Sequence, residues 1–395
     1  MFKRLQILAL ILLLPTPLVA SNIVRNVNLR GNFDNCRIQF EREETGHVAF
    51  IGGSITEMNG YRPMVCEFLQ KQFPKTKFNF TAAGISSTCS TTGAFRLERD
   101  VLSKGPVDLF FIEFAVNDDQ DAGHARRECI RGLEGIVRQV REHNPQADIV
   151  ITYFVNPSML ETLQAGKTPL TISSHEAVAE HYNITTVNLA KEVAEQISAD
   201  ELSWKVYGGT HPKPAGNRIC ATMIADQLSQ LWAEELSPKT TKKKHSSPSK
   251  PLDSNHYGNG RFVSPEKAEI VRDWKWGIPA WDELPGGKRS RFTNINMLSA
   301  DRPGAELSLE FTGKAVGAYI VAGPDAGIVE ASIDNQPFKS FDLYHHYSRG
   351  LHYPRSVIFA ADLEPKEHTL RLRISEKSNE ESSGHAMRII QFEVN

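Results

Sequence analysis

Four short segments carry the residue types for acyl transfer, and they are spread over 160 residues. Gly52-Gly53-Ser54-Ile55-Thr56 offers a serine hydroxyl in a glycine-rich turn. Ala82-Ala83-Gly84-Ile85-Ser86 offers a glycine N–H that no side chain shields. Phe114-Ala115-Val116-Asn117-Asp118 offers a neutral amide donor, and Tyr207-Gly208-Gly209-Thr210-His211-Pro212 offers an imidazole in a loop. A serine activated by a histidine base, facing donors for a developing oxyanion, is the minimum set for nucleophilic attack on an ester or amide carbonyl. Each segment also has an ordinary alternative: a helix N-cap for Ser54, a turn for Gly84, an Asx-turn for Asn117 and a satisfied structural imidazole for His211. Their order along the chain and their common position after apolar runs favour the chemical reading.

Those runs are the elements that must position the four groups. His47–Ile51, Phe78–Ala82, Asp108–Phe114, Asp148–Phe154 and Thr185–Val187 are short and apolar, and amphipathic stretches separate them. The clearest stretch repeats Ile130, Leu133, Val137 and Val140 at one-face helical spacing. Strands alternating with helices predict a buried parallel five-stranded sheet in a three-layer α/β/α sandwich over residues 21–236, with its site beyond the carboxyl ends of the strands. A second long helix carries Ile219, Met223, Leu228 and Leu231 just after His211.

Residues 237–256 break the pattern. Ser237 to Asn255 holds three prolines, five serines and a Lys-Lys-Lys run with almost nothing apolar, which predicts a solvated linker open to protease. From 257 to 395 the period becomes two: Leu307, Leu309 and Phe311 alternate with polar residues, as do Val329, Ala331 and Ile333, and Leu370, Leu372 and Ile374. Turn signals separate these runs, so the expectation is an all-β, jelly-roll-like sandwich.

Composition narrows the function. Of 395 residues, 40% are hydrophobic and 23% charged, enough for two packed cores. Forty-five Lys+Arg against 47 Asp+Glu give a net charge of −2, no field to hold a nucleic acid. Five cysteines (Cys36, Cys66, Cys89, Cys129 and Cys220) are an odd number without CxxC or zinc-type spacing, so no metal is expected. Residues 1–20 combine Lys3 and Arg4, an apolar run to Leu14 and a small-residue end, which predicts a secretory signal peptide and an exported protein without a membrane span. Export leaves a disulfide open among the five thiols.

The four segments resemble the four blocks of the SGNH (GDSL-type) hydrolase superfamily, over roughly residues 46–236. The closest likeness is to the bacterial branch whose first block reads GGSIT and whose third ends in FAVND; Gly93-Ala94-Phe95-Arg96-Leu97 and Arg99-Asp100-Val101-Leu102 fit it too. The resemblance implies a flavodoxin-like sandwich and ester hydrolysis without metal or organic cofactor. It gives Ser54 as nucleophile, His211 as base, and Gly84 and Asn117 as oxyanion donors. One position departs: the family's Asp three residues before the histidine is Gly208 here. Three arrangements remain open for the His211 Nδ1 proton. A carbonyl of the Gly208–Thr210 loop accepts it, which is the favoured one because orienting the ring needs an acceptor rather than a charge. Alternatively Asp200, Glu201, Glu57 or Glu113 reaches it, or catalysis is lost.

Other groups have plainer readings. Arg96 and Arg99 suit an ion pair with Glu98 or Asp100 better than an acidic substrate. His345-His346, as neighbours on a strand, would point to opposite faces and hold no metal. Trp274, Trp276 and Trp281 suit core or domain packing better than sugar stacking. The expected function is a secreted serine esterase that removes a small acyl group, acetyl above all, from a carbohydrate or polysaccharide; the oligomeric state is open. The alternatives are a lipase or lysophospholipase, and a carbohydrate-binding protein on an inactive scaffold.

Overall fold

The computed structural model describes residues 25–395; the secretory signal expected over 1–20 lies outside them. The first domain carries strands β1 (Val27–Asn28), β2 (Thr45–Gly52), β3 (Lys77–Gly84), β4 (Leu109–Glu113), β5 (Asp148–Thr152) and β6 (Thr185–Val187). Their order is β1-β6-β5-β4-β2-β3, parallel except for the short β1, which pairs antiparallel with β6. Without β1 this is the flavodoxin-like order, whose crevice opens where the strand sequence reverses, between β2 and β4. Both faces of β4 and β5 are buried, hence their unbroken apolar runs. The two-residue β1 is too short to register as a period and is an addition to the five expected strands.

Helices cover the two faces: α1 (Asp34–Glu41), α2 (Ser54–Glu57), α3 (Tyr61–Gln72), α4 (Ser90–Asp100), α5 (Arg126–His143), α6 (Pro157–Gln164), α7 (Leu170–His181), α8 (Leu189–Ser198), α9 (Trp204–Tyr207) and α10 (Pro214–Leu231). Leu133, Val137 and Val140 of α5 enter the core, as their spacing predicts. No helix among the described residues is long and apolar enough to cross a membrane.

The second domain is an antiparallel sandwich. One sheet runs β15 (Tyr353–Ala360), β12 (Val316–Ala322), β17 (Met387–Val394), β10 (Met297–Ala300) and β9 (Lys275–Gly277), with β7 (Arg261–Val263) also on β17. The other runs β14 (Lys339–Asp342), β13 (Ile328–Ile333), β16 (Lys366–Ile374), β11 (Glu306–Gly313) and β8 (Glu269–Arg272). Leu307, Leu309, Val329, Leu370, Leu372 and Ile374 point inward together and make the core between the sheets. Trp274 and Trp281 are buried, but Trp276 is 39% exposed beside a hollow of about 480 Å³ that shares no residue with the four segments. His345 and His346 lie not on a strand but at a one-turn helix, with ring centroids 4.0 Å apart, so the opposite-faces expectation fails. All five cysteines are free thiols, and no disulfide forms among them.

Residues 237–256 are not a free linker. They run as a strap along α5. The buried Glu134 carboxylate accepts from the Leu252 and Asp253 N–H groups (2.8 and 2.9 Å) and from the Tyr182 hydroxyl. Asp253 in turn pairs with Arg127 and Arg131, His245 bonds Asp148, and Lys243 pairs with Asn35 through two backbone hydrogen bonds. Tyr257 is fully buried at the end of the strap, its hydroxyl on Glu128. The anchors are polar, so a search for apolar residues misses them.

This docking sets an expectation. Chymotrypsin should cut slowly after Leu252, where Glu134 holds the N–H groups of both residues flanking the bond, in the intact protein. Glu134→Ala orphans two N–H groups and a hydroxyl and should both speed that cleavage and cost about 3–5 kcal/mol in urea unfolding. Equal cleavage rates in the two proteins would mean that the strap is loose.

Candidate active site

Ser54 leaves the end of β2 and begins the single turn α2, half-buried at the crevice between β2 and β4. His211 arrives from the other end of the domain, in the loop between α9 and α10. The two meet: His211 Nε2 lies 2.8 Å from Ser54 Oγ. Asn217 on α10 fixes the loop, donating to the Pro212 carbonyl at 2.6 Å while its Oδ1 takes the Tyr61 N–H at 2.8 Å. Tyr61 begins the helix that follows Ser54, so one side chain ties base and nucleophile segments together.

The carbonyl expected to hold His211 Nδ1 is not there. His211 is exposed, and among the described residues its one hydrogen bond is that to Ser54. The four carboxylates considered are also occupied or remote. Glu57 accepts from Ser86 N (2.8 Å), Ser86 Oγ and Arg291 (2.8 Å). Glu113 is buried beneath α2 on Thr56 Oγ1, 3.1 Å away, and Asp200 and Glu201 sit exposed at the end of α8. Position 208 could not take the family's Asp: its φ is +114°, and a Cβ would run into the Lys213 N–H and side chain. Only glycine suits that left-handed turn.

Gly84 ends β3 at the sheet edge. Ile85 N–H donates to Gly52 O at 3.1 Å, and residues of a parallel strand alternate sides, so the Gly84 N–H faces away from the ladder. A Cβ there would strike the backbone of Thr56 and Glu57, which shows how closely this edge approaches the Ser54 turn. Asn117 opens a π-helical turn, Asn117–Asp121, after β4, and its amide lies against Gly53. Ser54, Gly84, Asn117 and His211 thus gather at one end of the sheet.

With this geometry in hand, the likenesses are informative. Residues 50–219 match the model of the GDSL-like lipase/acylhydrolase family. The α/β domain belongs to that family. No curated protein matches the chain. Among solved structures, a two-domain esterase (CEX) active on acetylated mannans, co-crystallised with mannopentaose, aligns with TM-score 0.73 at 21% identity, covering 93% of this chain and 96% of its own. The same esterase without that sugar aligns with TM-score 0.73 at 20% identity over the same shares. That likeness extends the fold match across both domains.

The GDSL-like domain holds its site together from behind. Arg96 is wholly buried and donates to Ala83 O (2.7 Å), Gly52 O (3.0 Å) and Asp100 (3.0 Å), the ion-pair reading rather than a substrate contact. Asp118, next to Asn117, is also buried; it caps α4 through Ser90 N and Oγ (both 2.7 Å) and takes His175 Nε2 at 2.9 Å. His124, Cys89 and Cys129 surround it, a grouping that the sequence spacing hides. Despite burial, these partners hold the Asp118 carboxyl well below its usual range. Burial dominates at Glu113 and pushes its carboxyl up to about 7.

Several residues of the site come from the sandwich, and sequence reasoning missed them. Arg289 donates to Ser86 O and Ser87 Oγ (both 2.9 Å), Arg291 to Glu57, and Tyr353 to Asp121 Oδ1 at 2.8 Å. No local pattern announces pairs more than 200 residues apart.

Two measurements test this framework. Arg96→Met leaves Asp100 and two strand-end carbonyls without their donor in a dry interior, and should cost about 3–5 kcal/mol of unfolding free energy. A loss under about 1 kcal/mol would put the guanidinium in a lesser role. Glu113 keeps its proton in the folded state up to about pH 7 but loses it near 4.5 when unfolded. Its contribution to stability is therefore present below pH 4.5 and disappears as the pH rises to 7. Glu113→Gln should flatten that decline relative to wild type; parallel stability curves would show that Glu113 does not titrate there.

Proposed function

We propose that this protein is an exported serine esterase that removes O-acetyl groups from a carbohydrate chain. The observation that carries the esterase part is the 2.8 Å contact of Ser54 Oγ with His211 Nε2 at the sheet end where Gly84 and Asn117 also lie. His211 Nε2 takes the serine proton as Oγ attacks the ester carbonyl. The carbonyl oxygen, now an oxyanion, accepts from the N–H groups of Ser54 and Gly84 and from the Asn117 amide; each such donor contributes roughly 10²–10³ in rate. The proton passes from His211 to the departing sugar hydroxyl, and water then releases acetate from Ser54 by the same steps reversed.

For Nε2 to accept, the neutral ring must carry its proton on Nδ1. His211 is exposed and its Nδ1 has no hydrogen-bond partner among the described residues, so we read the pair as a serine–histidine dyad rather than a triad. The carbohydrate part of the proposal draws support from the fold match over both domains with an esterase whose substrates are acetylated mannans. Export draws support from the signal-like sequence of residues 1–20.

Ser54→Ala and His211→Ala should each lower kcat/KM on p-nitrophenyl acetate by several orders of magnitude with unchanged circular dichroism, because the two act as a unit. Acetate release from acetylated mannan should fall in parallel. Activity within tenfold of wild type in either variant would reject the dyad. A wild-type rate no greater than that of Ser54→Ala would instead favour a binding protein on this scaffold.

A further inference from the structure

We propose that Asp121 and Tyr353 are positioning residues for the oxyanion donor Asn117, so that the β-sandwich sets the orientation of one arm of the site in the other domain. The inference rests on the esterase reading of Ser54 and His211. It starts from a property of carboxamides: the two ends of the group have the same shape, and only hydrogen-bond partners decide which end faces where. At Asn117 that choice matters, since an oxygen turned toward a developing oxyanion would repel it and a nitrogen would stabilise it.

Asn117 has one such partner. Its Nδ2 donates to Asp121 Oδ2 at 2.7 Å, while its buried Oδ1 has no hydrogen bond among the described residues. A carboxylate only accepts, so it dictates that the nitrogen sits on its side, and the second N–H of that nitrogen is left for an acyl oxygen. The pair spans a π-helical turn. The two residues are its first and last, four positions apart and so within side-chain reach, and such turns recur at functional sites.

Asp121 is itself aimed from outside its domain. Tyr353, the first residue of β15, is buried and donates to Asp121 Oδ1 at 2.8 Å. The Tyr353 ring is held in turn by a parallel stack on His345, with centroids 4.7 Å apart and planes 7° from parallel. Gln120 adds a long contact of 3.4 Å to Oδ2. Burial pushes the Asp121 carboxyl up, and the hydrogen bonds from Tyr353, Gln120 and Asn117, with the Arg289 guanidinium of the sandwich, work against that rise. The line of contacts therefore runs from His345 to Tyr353, Asp121, Asn117 and then the acyl oxygen.

The test uses the full chain and p-nitrophenyl acetate, with active sites titrated by a fluorophosphonate so that rates refer to competent serines. Asp121→Ala should lower kcat by about 10- to 1,000-fold with KM nearly unchanged, since the lost interaction strengthens only in the transition state. Asp121→Asn should recover part of that rate, because its own Oδ1 can still accept from Asn117. Tyr353→Phe should lower kcat less, about 3- to 10-fold, and should add nothing to Asp121→Ala in the double variant, the signature of two groups acting in series. Unchanged kcat per titrated site in Asp121→Ala, or multiplicative effects in the double variant, would overturn the proposal. A second readout does not need turnover. The side-chain amide protons of Asn117, seen by NMR, should include one slowed in exchange in wild type and released in Asp121→Ala. If the wild type hydrolyses no ester but this proton behaves as stated, the positioning stands and the esterase reading falls. An Asn117 amide indifferent to Asp121 would sink the positioning whatever the activity.

Discussion

A single guanidinium holds the edge that carries the candidate site in register. Arg96 lies in the interior on α4 and reaches the last carbonyls of two neighbouring strands, Gly52 O on β2 and Ala83 O on β3, with Asp100 as counter-ion. A buried cation without partners would cost several kcal/mol, so the strand ends are constrained to present their carbonyls to it. From those two ends leave the Ser54 turn and the Gly84 loop. Burial pushes the Arg96 pKa down and Asp100 pulls it back, so the charge and its contacts stand or fall together. Asp118 repeats the device on the other side of α4, joining the strand end that carries Asn117 to the helix N-terminus. Thus α4 is the common support on which three of the four site segments are hung.

Much of this was legible in the sequence, for a physical reason. Central parallel strands are buried on both faces and write themselves as apolar runs; sandwich strands are buried on one face and write themselves as alternation. The four site segments stand at the ends of such runs, so their position could be read along with their residue types. What stayed hidden depends on partners far away in the chain. Residues 237–256 look solvated because their anchors are backbone N–H groups meeting Glu134 and an Asp253 meeting arginines, and polar anchoring leaves no periodicity. Gly208 read as a missing carboxylate, and the sequence suggested a loop carbonyl in its place. The structure instead gives His211 no hydrogen bond besides that to Ser54 among the described residues, and the left-handed turn at Gly208 leaves no room for an Asp side chain.

The tryptophans show the same limit. Trp274, Trp276 and Trp281 form one cluster in the sequence, yet two enter the core and the third stands at the surface. Composition places aromatic residues in a region; packing decides which face each one takes. The His345-His346 pair fails as a strand prediction because the chain leaves β14 into a one-turn helix there, and that departure brings the His345 ring onto Tyr353.

The interface between the domains is as specific as either core. Ile85 from the hydrolase domain packs in one cluster with Trp281, Phe292, Met297 and Tyr319 of the sandwich. Beside it, Thr92 Oγ1 meets Ser356 Oγ at 2.6 Å, and Ser356 donates to the buried Glu393. Separating the halves would therefore leave both apolar surface and unpaired polar groups facing water that neither half is shaped to accommodate. For the history of such a protein this has a plain meaning. A gene segment encoding the sandwich could not be traded for another of the same fold without re-creating Tyr353, Arg289, Arg291 and Ser356 at matching places. A substitution on either side of these pairs strands its partner on the other.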